Sequence, residues 1–189
     1  MEFRLLDKIE LLQVYKTRMM EDFPAAELKP YEAITGMMDE GCYEALSVEK
    51  DNRVIGYALM TMVPETDYLL LDYLAVYKEY RAGGLGSEIL AKLKEYYAGK
   101  TIYIESENPD FQEGVAKDTA VKRLRFYEKN GAVNSGVLTS IWTVPYVNFY
   151  LSTNTFSSEE CTKALSRIYE TMIKSESTRA KMIEIPQKV

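Results

Sequence analysis

Between Tyr68 and Tyr97 the chain passes from an apolar run, YLLLDYLAV, through a short polar loop into RAGGLG and then into SEILAKLKEYY. In the last segment Leu85, Ile89, Leu90, Leu93 and Tyr97 recur on one helical face, whereas the first is a short, near-continuous apolar run of strand type. Strand, glycine loop and helix therefore follow one another within thirty residues, and the rest of the chain has to be arranged around that unit. Glycines at such a junction allow positive φ and leave no Cβ in the path of a ligand. The helix start beyond them offers unpaired N–H groups and the positive end of the helix dipole, a combination suited to a phosphate group. The plain structural alternative is a left-handed turn that only joins a strand to a core helix.

Spacing narrows the choice of anion. A dinucleotide fingerprint needs a third glycine three residues after Gly86, and Ile89 stands there. A P-loop needs Gly-Lys-Ser/Thr, and here Gly86 is followed directly by Ser87. What remains is R-x-x-G-x-G, built from Arg81, Gly84 and Gly86, after a strand that ends Leu74-Ala75-Val76.

With 189 residues the chain is expected to form one domain spanning 1–189, with a core over about 1–152, a helical extension over about 157–175 and a mobile tail over 176–189. No apolar run approaches the ~18 residues of a membrane span. The start, MEFRLLDKIE, lacks the order of a signal peptide, so the default expectation is cytoplasmic. Cys42 and Cys161 form no C-x-x-C pair, which suggests neither a disulfide framework nor a zinc site; no metal is expected. Histidine is absent, which excludes Ser-His-Asp and Cys-His catalysis and leaves proton transfer to carboxylate, tyrosine, lysine or water. The formal charge of −6 argues against nucleic acid as a partner and favours a cationic one. An anionic cofactor then needs local positive charge, which Lys78, Arg81, Lys122, Arg123 and Arg125 would supply.

Taken in order, residues 2–6 read as a strand, and Asp7 with Glu10 as a capping box for a helix running to about Met20. A second helical pattern covers Ala25 to Glu40, broken near Pro30. Tyr43–Val48 and Val54–Met62 look like strands joined by a turn at Asp51-Asn52. After the loop helix, Gly99 sits at a C′ position and Thr101–Glu105 is a strand with Ile102 and Ile104 on one side, Tyr103 and Glu105 on the other. Asn108–Lys117 reads as a loop and Asp118–Asn130 as a helix ending before Gly131. Val133–Val144 and Tyr146–Ser152 form a strand pair about Pro145, and Ser157 with Glu160 caps a last helix carrying Cys161, Ala164, Leu165, Ile168, Met172 and Ile173.

The late helix contains Phe126-Tyr127-Glu-Lys-Asn-Gly131. An aromatic, a tyrosine and a glycine four residues on, one strand after an R-x-x-G-x-G loop, resembles the GNAT N-acetyltransferases. The resemblance implies an α/β (α+β) fold: a mixed, mostly antiparallel twisted sheet of about seven strands flanked by helices, here with an extra C-terminal helix. It implies acetyl-CoA as cosubstrate, with Leu74, Ala75, Val76, Arg81, Ala82, Gly83, Gly84, Leu85, Gly86 and Ser87 at the cofactor. Ala120 and Ala132 stand where many members carry an asparagine and an aromatic.

The implied reaction moves an acetyl group from acetyl-CoA to a primary amine of a small molecule or peptide. A backbone amide between Leu74 and Val76 meets the oxyanion, and Tyr127 donates a proton to the leaving sulfur. Glu105 is the leading general base, with Glu107 and Tyr73 as substitutes. The acceptor is expected to be cationic, and the protein a monomer or homodimer without nucleic-acid or membrane partners. A non-catalytic acyl-CoA-binding module of the same fold is the alternative.

Overall fold

The computed structural model describes residues 1–81 and 83–185. Eight strands form one sheet in the order β1-β2-β3-β4-β5-β7-β6-β8, antiparallel throughout except for a parallel β4/β5 pair. The elements are β1 (Glu2–Leu5), α1 (Lys8–Val14), α2 (Met20–Asp22), α3 (Tyr31–Asp39), β2 (Tyr43–Lys50), β3 (Arg53–Met62), β4 (Tyr68–Val76), α4 (Leu85–Tyr96), β5 (Thr101–Glu107), α5 (Gly114–Lys129), β6 (Val133–Ile141), β7 (Val144–Leu151), α6 (Ser158–Met172), α7 (Glu176–Met182) and β8 (Ile183–Glu184).

Local chemistry sets most boundaries. Asp7 accepts from the Glu10 N–H at 2.8 Å and the Glu10 carboxylate accepts from the Asp7 N–H at 3.1 Å, closing the expected box at α1. The helix continues through a π turn, Tyr15–Met19, into α2, and ends where Phe23 turns extended before Pro24. Asp51 and Asn52, at φ 51° and 59°, make the β2/β3 hairpin turn.

Periodicity divides the side chains between two faces. One face holds Leu46, Ala58, Met60, Leu71, Ile102, Ile104 and Phe149 against Ile89, Leu90 and Leu93 of α4 and Tyr127 of α5. On the other, Leu11, Met19, Ile34 and Met37 pack against Tyr57, Leu59 and Tyr73, while Cys161, Ala164, Leu165 and Ile168 of α6 cover Leu70, Tyr103 and Tyr150. Full burial of an aliphatic side chain such as Leu165 or Ile168 stabilises by about 1.5–3 kcal/mol, which fixes α6 to the sheet.

Four expectations about local structure are corrected. Helical structure between Ala25 and Glu40 begins only at Tyr31, because Pro30 (ψ 141°) is the extended residue before the first turn and Ala25–Glu27 forms an isolated turn. Residues 114–117 are helical rather than loop: Gly114, at φ 54°, turns the chain straight into α5, and Pro109 belongs to a separate 3₁₀ turn. The β6/β7 turn is made by Trp142 and Thr143, at φ 51° and 69°, so Pro145 lies inside β7 opposite Ser140. Within the tail, residues 176–184 form α7 and β8: Arg179 Nη1 donates to the Ile173 carbonyl at 2.6 Å, and β8 adds to β6 as an eighth strand beside the expected seven, while residues 186–189 lie outside the described residues.

Candidate active site

β4 and β5 pair only from Tyr68/Thr101 to Leu71/Ile104. Beyond that point β4 stays on β3 as far as Val76/Gly56, while β5 stays on β7 as far as Glu107/Tyr146, and the two strands part. A slip in the β3/β4 register assists the parting, since Met60 faces Leu71 and Leu59 faces Tyr73, which leaves Asp72 as an extra residue on β4. The opening is a cavity of about 660 Å³, ample for the reacting end of a cofactor and a small acceptor. Its walls include Leu71–Val76 of β4, Glu105 and Glu107 of β5, Arg123 and Tyr127 of α5, the segment before α3, and Met172, Ile173, Met182 and Ile183 near the C-terminus.

At the end of β4 the glycine loop leads into α4. Gly84 has φ 76° and caps α4 without any side-chain hydrogen bond. The N–H groups of Ser87 and Glu88 bond to the Gly84 carbonyl at 3.0 and 3.3 Å, so the amides of Leu85 and Gly86 come ahead of those helical bonds. Gly86 is also needed for packing, because a Cβ there would lie 3.2 Å from Phe126 Cζ. Nothing lies within 4 Å of a Cβ built at Gly83. Ala82 lies outside the described residues. Leu74, Ala75 and Val76 form the last part of β4, where no β5 neighbour covers its edge.

Three of the five expected cations are already partnered, whereas Lys122 and Arg125 have no acidic partner among the described residues. Arg81 donates from Nε to the Val76 carbonyl at 2.8 Å and from Nη2 to Asp22 at 2.6 Å, so its side chain ties the loop to β4 and α2. Lys78 lies 3.4 Å from Glu21, and Arg123 donates to Glu107 at 3.1 Å. The groups at this loop with the chemistry to hold an anion are the backbone amides and the positive end of the α4 dipole.

Tyr127 is buried, its ring between Phe126 (centroids 5.3 Å apart) and Phe149 (6.2 Å), and it reaches the cavity wall beside Arg123. Burial raises its phenol pKa, and Arg123 opposes that rise. Glu105 reaches the same cavity from β5 and accepts a hydrogen bond from the Tyr169 hydroxyl of α6. Burial lifts its carboxyl to about 7; the Tyr169 hydrogen bond and Lys29 pull it down, and Asp72 pushes it up.

The two substitute bases are otherwise engaged. The Tyr73 hydroxyl donates to the Glu27 carbonyl and accepts from the Lys29 N–H, both at 2.8 Å. Glu107 is held by Arg123 and by Gln112 at 3.2 Å.

Several cavity groups escaped the sequence reading. Asp72, with a side chain only 5% exposed, pairs with Lys29 at 2.6 Å and accepts from the Tyr43 hydroxyl. The signal was an acid in the middle of an apolar strand. Glu27 lines the cavity with its carboxyl pushed up by burial and by Glu107. Tyr146 and Tyr169 had no distinguishing signal among fifteen tyrosines. Among the described residues no group of acids and cysteines forms a metal site, and no helix is long and apolar enough to cross a membrane.

Comparison with known proteins agrees with this geometry. The model of the acetyltransferase (GNAT) family matches residues 8–132. The Bacillus subtilis (strain 168) protein named "Putative acetyltransferase YjbC" is 33% identical over 155 residues, covering 76% of this chain and 78% of that one. A GNAT-family structure from Bacteroides thetaiotaomicron superposes with a TM-score of 0.70 at 18% identity, over 92% of this chain and 98% of its own. An aminoglycoside 6′-N-acetyltransferase solved with coenzyme A gives 0.55 at 18% identity, over 82% and 99%. With its parted β4/β5 strands, glycine loop and eight-stranded mixed sheet, the chain belongs to the GNAT acetyltransferase family and is an acyltransferase.

Proposed function

We propose that this enzyme transfers an acetyl group from acetyl-CoA to a primary amine that carries positive charge. The observation that carries the reading is the convergence, on one cavity, of an uncovered β4 edge and the ionisable groups Tyr127 and Glu105, with the uncapped α4 start at the end of the same strand.

The pyrophosphate of the cofactor would sit on the amides of Gly83 to Gly86 at the α4 N-terminus with the Ser87 side chain beside them, Gly84 keeping the approach open and Gly86 letting the helix start rest on Phe126. The amide-bearing arm then runs along the free edge of β4 from Val76 toward Leu74, as an added strand would. That course brings the thioester to the point where β4 and β5 part, with Tyr127 on one side and Glu105 on the other. A β4 amide between Leu74 and Val76 is the oxyanion donor.

Glu105 accepts the proton of the attacking amine. A carboxyl held near 7 is ionised for a large part of the enzyme at neutral pH, yet basic enough to take a proton in the transition state. Tyr127, kept neutral by burial, protonates the departing thiolate. Asp22, Glu27, Asp72, Glu105 and Glu107 give the cavity its acid excess over Lys29, Arg81 and Arg123, which favours a cationic acceptor. Steady-state assay of acetyl-CoA with polyamines, aminoglycosides, amino acids and basic peptides tests the reading. Turnover with cationic amines supports it, and turnover with neutral or acidic acceptors alone contradicts it.

A further inference from the structure

The Glu105 carboxyl is oriented by a residue outside the segment that the family model matches. Tyr169 lies on α6, well beyond residue 132, and α6 packs on the face of the sheet toward which Tyr103 and Glu105 point. The Tyr169 ring is 2% exposed, and its hydroxyl donates to Glu105 Oε1.

Buried polar side chains of β6 and β7 stand behind that hydroxyl. Asn148 of β7, fully buried, donates from Nδ2 to Thr139 Oγ1 of β6 at 2.9 Å and to the Val137 carbonyl at 3.2 Å. Thr139 in turn lies near the Tyr169 phenol and tempers the rise of its pKa. Two hydrogen bonds, Asn148 to Thr139 and Tyr169 to Glu105, thus lie side by side where α6 meets the sheet. Burial and the Glu105 carboxylate push the Tyr169 phenol well above its usual range, so it remains a donor. Glu105 has no second hydrogen-bond partner among the described residues, which leaves Oε2 for an incoming amine.

We propose that Tyr169 is a positioning residue for acetyl transfer: it anchors Glu105 Oε1 and so presents Oε2 to the acceptor amine. This rests on the reading of Glu105 as the base. The charged and titratable groups that face Glu105 are Tyr169 of α6, Lys29 before α3, Asp72 of β4 and Tyr146 of β7. Lys29 is itself held by Asp72, so Tyr169 is the neighbour whose removal acts on Glu105 with least disturbance elsewhere.

The test compares Tyr169→Phe, Glu105→Gln and the double variant with the wild type, using acetyl-CoA and the best amine from the panel. Phenylalanine keeps the ring and removes the donor. Loss of a hydrogen bond to the charged carboxylate should move the acid limb of kcat/KM up by about one pH unit. It should also lower kcat about tenfold, with the KM for acetyl-CoA unchanged. Adding Tyr169→Phe to Glu105→Gln should cost nothing more. If Glu105→Gln is impaired while Tyr169→Phe keeps the wild-type limb and rate, the positioning role is wrong and the base stands. If Glu105→Gln itself behaves as wild type, both fall. Should Tyr169→Phe fail to fold, Tyr169→Met, which fills much of the same space and also lacks the hydroxyl, should shift the limb in the same direction; an unshifted limb in that variant overturns the proposal.

Discussion

A β-carbon on Gly86 would lie 3.2 Å from Cζ of Phe126, the residue before Tyr127. The first turn of the loop helix therefore rests on the helix that carries the tyrosine, and the glycine loop and the tyrosine are set by one contact. Gly86→Val should press into that ring and displace both. Gly84→Val meets no neighbour but forces a branched residue to φ 76°, at a cost of about 1–2 kcal/mol. Gly83→Ala, with open space and no left-handed φ, should behave as wild type. Acetyl-CoA should raise the melting temperature of the wild type and Gly83→Ala, but not of Gly86→Val. An equal rise in Gly86→Val would remove the loop from the binding site.

Tyr127→Phe retains the packing against Phe126 and Phe149 and loses only the donor. Stability and CoA affinity should stay unchanged, while kcat falls on the order of 10²-fold with little change in KM, the effect of one general acid. Wild-type turnover would make Tyr127 a packing residue.

Glu105 predicts opposite pH trends for activity and stability. Activity needs the ionised carboxylate, so kcat/KM should rise through about pH 7. For stability, its folded pKa of about 7 exceeds the value near 4.5 expected unfolded, so between those values the folded state binds more protons. Its contribution is therefore greatest below about pH 4 and is lost as pH rises through 7, to an upper bound on the order of 3 kcal/mol. Glu105→Gln should consequently gain stability relative to wild type between pH 5 and pH 8 in urea titrations. A constant difference across that range would show that the carboxyl is not shifted.

Asp72, on the bulged part of β4, forms an ion pair 2.6 Å long with Lys29, whose side chain is 26% exposed against 5% for Asp72. Asp72→Ala leaves the partly exposed Lys29 ammonium and the Tyr43 hydroxyl without their partner and should destabilise by about 1–3 kcal/mol. Urea unfolding would measure it. A change under 1 kcal/mol would mean that Lys29 turns out to solvent.

What was legible in the sequence follows from range. Both capping boxes, the Asp51-Asn52 turn, the left-handed Gly99 and the strand–loop–helix unit depend on neighbours within a few residues, and all appear as expected. The alternation on β5 also placed Glu105 correctly opposite Ile102 and Ile104, because period two needs no partner. What stayed hidden is tertiary. Tyr169 meets Glu105 across 64 residues, and Lys29 meets Asp72 across 43. The tail after Ser175 looked unstructured because its apolar residues Met182 and Ile183 find their place only on β6 and the cavity wall, which no local pattern announces. Arg81 fits its motif, yet its engagement with Asp22, 59 residues away, is equally invisible to spacing.

The most direct measurement is amine-dependent release of free CoA thiol from acetyl-CoA, run side by side for wild type and Glu105→Gln at pH 8 over the amine panel. The account predicts release with at least one cationic amine by the wild type, and release at least about 10²-fold slower by Glu105→Gln, with acetyl-CoA still stabilising both proteins against heat. No release with any amine from a wild type that binds acetyl-CoA, or equal release by the two proteins, would contradict it.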